Sequence, residues 1–135
     1  MKVKVTHYGG KGYNWANQSE HIEFVGIEVI DDDGKRHFID ESFKEGEYPY
    51  PENRPSEILP ELKERAKHWL YKGDAKEFAE TAAWMEERID AIDLAWLEGK
   101  AADIRARAAE LTRKAEGYEA DAAELRKQIG AVAEK

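Results

Sequence analysis

Apolar and polar residues alternate from Lys2 to Tyr8, with Val3 and Val5 on one side and Lys2, Lys4 and Thr6 on the other. A period of two predicts a half-buried strand. The polar run from Gly9 to Gln18, opened by Gly9-Gly10-Lys11-Gly12, reads as a loop. His21 to Asp31, rich in Ile, Val and Phe, is the strongest strand signal in the chain. Asp33-Gly34 then supplies the residues of a tight turn, and Lys35 to Phe43 returns as the partner strand of a hairpin. The proline-punctuated stretch from Glu47 to Pro55 leads out of the sheet in extended form.

The pattern changes after Pro60, which suits the first turn of a helix because its missing N–H costs little there. Leu62, Ala66, Trp69 and Leu70 mark an apolar stripe. Gly73 is expected to end this helix, and Asp74 with Glu77 to cap the next. Phe78, Ala82, Met85, Ile89, Ile92 and Trp96 follow at steps of three and four. From Leu97 the stripe restarts in a new frame: Leu97, Ile104, Leu111, Tyr118, Leu125 and Val132 fall every seventh residue. Ala101, Ala108, Ala115, Ala122 and Ile129 keep the same period four residues behind. Two such sets define one seam of a coiled coil.

Two structures fit the slip of frame near Gly99. The helix breaks there into an antiparallel hairpin, or it runs on as one rod of roughly 90 Å at 1.5 Å per residue. A glycine inside a helix costs about 1 kcal/mol and falls where the stripe loses register, which favours the break. The expected fold class is α+β: a small N-terminal antiparallel β-sheet region (1–55), then long C-terminal helices (56–135) as a helical hairpin or coiled coil. Three strands are too few to cover the apolar stripe, so the chain is expected to form a homo-oligomer through its C-terminal helices.

Composition narrows the choice of partner. Charged residues make up 37% of the chain, which requires extensive solvated faces. The net charge of -8 is shared evenly between the β and helical regions, with cations interleaved among anions. Neither duplex nucleic acid nor an anionic membrane is an expected partner of such a surface. The chain has no cysteine, hence no disulfide, thiolate ligand or cysteine nucleophile, and no apolar run approaches a membrane span. The expected location is the cytoplasm.

Catalytic signals are weak. His7, His21, His37 and His68 lack metal-ligand spacing, and the Gly9–Gly12 run lacks the trailing Gly-Lys-Ser/Thr of a phosphate loop. With no nucleophile–base pair and no cofactor motif, the chain reads as a non-enzymatic binding protein. The candidate ligand residues are Tyr13, Asn14, Trp15, Asn17 and Gln18, which offer two aromatic planes and three amides in six residues. Stacking with amide hydrogen bonds is a way to grip a base-like ring. Arg36 or Arg54 would face its phosphates. Each feature also has a plainer reading: the glycine run as a turn, Trp15 as packing, Tyr48 and Tyr50 as a seal on the sheet edge.

In length, in its strands (Lys2–Tyr8, His21–Asp31, Lys35–Phe43) and in two C-terminal helices from Asp74 to Lys135, the chain resembles the first Thoeris anti-defence family. These are small phage proteins that sequester a cyclic ADP-ribose signal. The resemblance covers the layout of most of the chain and carries no ligand residue across. It implies an oligomer binding a cyclic nucleotide or ADP-ribose-type ligand between protomers. Three functions therefore stand side by side: sequestration of such a signal, an acidic inhibitor or adaptor that binds protein, and a coiled-coil assembly component.

Overall fold

A computed structural model describes residues 1–13, 19–44, 46–69 and 72–133. The elements run β1 (Lys2–Tyr13), β2 (Ser19–Ile30), β3 (Arg36–Lys44), α1 (Pro55–Trp69), α2 (Lys72–Glu87) and α3 (Ile89–Ala133). The three strands form one antiparallel sheet in the order β1-β2-β3. An α+β chain with a small N-terminal sheet and a long C-terminal helix is thus what the sequence encodes.

The Asp33-Gly34 turn joins β2 to β3 as expected. The Asp31 carboxylate accepts hydrogen bonds from the Asp33 and Lys35 amides at 3.0 and 2.9 Å, and Gly34 takes a φ of +83°. Such a φ is costly for any residue with a Cβ. The first strand differs from expectation. β1 does not stop at Tyr8 but continues through the glycine run, with Gly9 opposite Glu23 and Tyr13 opposite Ser19. Ladder partners on β2 outweigh the entropic cost of three glycines in a strand.

One face of the sheet carries Val3, Val5, Val25, Ile27, Val29, Ile39 and Phe43 and packs against the helices. Ile58, Leu59 and Leu62 of α1, Ala82 and Met85 of α2, and Ile92 of α3 complete this core. Helix α1 begins at Pro55, so Pro60 lies inside it rather than at its start. Pro55 occupies the first helical position, where the missing donor is harmless. The Arg54 carbonyl accepts the first helical bonds, and Asp93 of α3 accepts the Ser56 amide at 3.0 Å. Gly73 and Asp74 likewise fall inside the first turn of α2 instead of ending one helix and capping another. Leu70 lies outside the described residues.

The break in the helical stripe falls at Arg88, not Gly99. The Arg88 amide bonds Met85 O at 3.1 Å, and its guanidinium caps the Trp84 carbonyl at 3.0 Å. Helix α3 then runs through Gly99 without interruption. The slip of frame has another cause. Ile92 and Trp96 are buried, whereas Leu94 and Leu97 are 56% and 39% exposed. At 100° per residue the two stripes occupy different sides of one helix, so the frame changes because a second face begins.

The chain divides into two compact units, Met1–Gly99 and Lys100–Lys135. The first joins the sheet to α1, α2 and the start of α3, so the sheet has no boundary of its own near residue 55.

Candidate functional site

The covered face of the sheet carries a polar cluster toward the Ser19 end of β2. His21 and Glu23 are two residues apart and so project to the same side, and Glu23 lies diagonally across from His7. One Glu23 oxygen meets His21 Nε2 at 2.6 Å and the other meets His7 Nε2 at 2.8 Å. The His21 bond, supported by that from His7, holds the Glu23 carboxyl below its usual pKa. Gly9 makes room: a Cβ there would stand 2.9 Å from His21 Cε1. The His7 ring also stacks on Tyr48 at 4.8 Å. Both Nε2 atoms face the carboxylate, and among the described residues no group of three or more acidic or histidine side chains is set to hold a metal ion.

A second cluster ties the β2–β3 turn to α2. His37 Nε2 lies 2.8 Å from Asp31 Oδ2, and its ring stacks on Trp84 at 3.5 Å with planes 7° apart. Arg88 covers the same indole at 4.5 Å. Hydrogen bonding with His37 lowers the Asp31 pKa. Turn, strand and helix junction are thereby joined through one stack, which gives His37 a structural task.

A groove of about 570 Å³ runs between β3 and α2. Arg36 lies in it, but its Nε bonds Glu28 at 2.8 Å and its guanidinium covers Phe38 at 4.3 Å. Asp40, Asp74, Glu77 and Glu80 outnumber the cations Lys35 and Arg36 along the walls. Burial pushes the Asp40 carboxyl above its usual pKa, while Tyr8 OH bonds it at 3.3 Å. Such walls disfavour a phosphate.

Arg36 pairs with Ile30, whereas Tyr13 pairs with Ser19 at the far end of the ladder. Eleven steps along β2 at 3.3 Å separate these ends by roughly 36 Å, so Arg36 and the Tyr13 backbone do not share a site. Arg54 is exposed at the start of α1. Asn14, Trp15, Asn17 and Gln18 lie outside the described residues, as does the Tyr13 side chain. The His7–Glu23–His21 cluster was not anticipated. Its one sequence signal is the His-x-Glu spacing on a strand, and it needs the register of β1 to become visible.

The most extended candidate surface lies on α3. Ile104, Leu111, Tyr118, Leu125, Ile129 and Val132 are all more than half exposed. Ala101, Ala108, Ala115 and Ala122 fill the intervening positions of the same seam and are exposed too. Flanking charges, among them Glu110 and Lys114 at 3.7 Å, stay on the solvated sides. An apolar seam of this length, in strict heptad phase, is suited to receive another helix.

Comparison with protein-family models, with curated proteins and with solved structures finds no match. No helix of the described chain is long and apolar enough to cross a membrane.

Proposed function

We propose that the protein is a non-enzymatic assembly component that joins copies of itself through α3. One observation carries this reading: the apolar seam from Leu97 to Val132 is in heptad phase and exposed along its whole length. Burying a single Leu removes about 1.5–3 kcal/mol of unfavourable hydration, so several per helix drive pairing even after the cost of association. Light scattering at micromolar concentration should give a mass at least twice 15.5 kDa. Leu111→Asp with Leu125→Asp places charge in that seam and should return the protein to a monomer whose residues 1–99 stay folded. A wild-type protein that is monomeric at these concentrations refutes the proposal.

A second reading is sequestration of a nucleotide-derived ligand, the anti-defence role that the resemblance implies. The aromatic and amide run Tyr13–Gln18, which links the paired ends of β1 and β2, supports it. Thermal shift against cyclic nucleotides and ADP-ribose derivatives, with Trp15→Ala as the control, tests it separately from assembly.

A further inference from the structure

We infer that two copies pair through α3 as an antiparallel two-fold dimer centred on Arg113. This inference rests on the proposed pairing and specifies its direction and register.

Direction follows from the sizes of the seam residues. Leu97, Ile104, Leu111, Tyr118, Leu125 and Val132 form one set; Leu94, Ala101, Ala108, Ala115, Ala122 and Ile129 form the other. In a parallel pair each set meets itself, so layers of facing alanines alternate with layers of facing large residues. The first leave voids and the second hold the helices apart. An antiparallel pair sets each residue of one set against one of the other. Alanine then meets a large residue in every central layer, and the helices keep one even, close spacing.

Register follows from coverage. Centring the two-fold axis on Arg113 produces the layers Leu111–Ala115, Ala108–Tyr118, Ile104–Ala122, Ala101–Leu125, Leu97–Ile129 and Leu94–Val132, each occurring twice. Every exposed large apolar residue of α3 then has a partner, including Leu94 and Leu97 at 56% and 39% exposure. The two positions where the alanine set turns large, Leu94 and Ile129, fall in the terminal layers. Sliding the partner by one heptad, to overlap residues 101–132 with themselves, strands Leu94 and Leu97.

The flanking charges agree with the same register. It sets Glu98 opposite Arg126, Arg105 opposite Glu119 and Arg107 opposite Asp121, again each twice. Its one unfavourable meeting on the axis is Lys114 with its own copy. The slid register brings Arg105 against Arg126 instead. Complementary flanks select among registers more than they add affinity.

The absence of cysteine makes a direct test available. Single nitroxide labels on Lys127→Cys or Ala106→Cys lie on the side of α3 away from the seam. Centred on Arg113, the two 127 labels are separated along the axis by roughly 42 Å and the two 106 labels by roughly 21 Å. The slid register makes both about 32 Å, and a parallel pair makes both equal and short. Either of the last two results overturns this inference while leaving self-association standing. An absence of dipolar coupling with a monomeric mass removes the underlying reading as well. Independently, Arg105→Glu should weaken dimerisation roughly tenfold, and Glu119→Arg in the same chain should restore it. Loss without restoration also overturns the register.

Discussion

Gly26 occupies the middle of the central strand, between Thr6 on β1 and Asp40 on β3. A Cβ there would lie 2.7 Å from Asp40 Cβ, 2.7 Å from the Ile39 carbonyl oxygen and 2.8 Å from Thr6 Oγ1. Those atoms would each have to retreat by roughly 0.6–0.7 Å to reach an ordinary contact. One of them is backbone of a paired strand and cannot swing away. Overpacking of this kind costs about 1–3 kcal/mol. Loss of glycine's freedom in the unfolded chain offsets about 0.4–1 kcal/mol of it. Gly26→Ala should therefore destabilise the 1–99 unit by about 1–2 kcal/mol. For a unit of this size that is a fall in Tm of roughly 5–15 °C. Tryptophan fluorescence is the appropriate readout, because Trp84 and Trp96 sit in this unit whereas circular dichroism also counts α3. Thr6→Ala added to the variant removes one of three obstacles and should restore less than half the loss. A midpoint equal to wild type, or higher, would refute the argument that β2 needs glycine here.

The α3 helix supplies a second test: Gly99 has open space around it and its φ is not positive. Gly99→Ala should stabilise the helix by about 1 kcal/mol and raise its helical signal, whereas lost helicity would point to a turn at this position. A third concerns pH. Asp31 is held below its usual pKa by hydrogen bonding with His37, so the stability it confers is present at neutral pH and lost as pH falls through its folded-state pKa. The Tm gap between wild type and Asp31→Asn should thus be widest near neutrality and close in acid; a gap that does not vary with pH would count against the Asp31–His37 contact.

The hairpin of β2 and β3 was legible in the sequence because alternation, β-branched residues and Asp33-Gly34 all agree locally. The stripe from Phe78 to Trp96 was legible for the same reason, and most of it lies in the core. Local rules misjudged Gly9–Gly12, since a strand's glycines are tolerated when a neighbouring strand supplies the ladder. They misplaced the start of α1 because two prolines compete for one role, and only the burial of Ile58 and Leu59 decides for Pro55. At Gly99 a change of buried face and a helix break leave the same trace in the sequence. The site was harder still. Arg36 and Tyr13 both border the β2 hairpins, and their separation to opposite ends of the ladder follows from register alone. The meeting of His7, Glu23 and His21 likewise depends on how far β1 extends.

β1 and β3 are the outer strands of the sheet, and its cations lie on them. β1 bears Lys2, Lys4 and Lys11, and β3 bears Arg36 and Lys44, while the central strand β2 has neither Lys nor Arg. Lysines along β1 make addition of a second sheet at that edge unfavourable, since two such edges would bring like charges together. Strand addition is thus discouraged at β1, while the apolar surface of α3 stays bare. The α3 pairing proposed above is closed by its own two-fold axis, so on that proposal crowding or overexpression should produce discrete, saturable complexes rather than open-ended fibres.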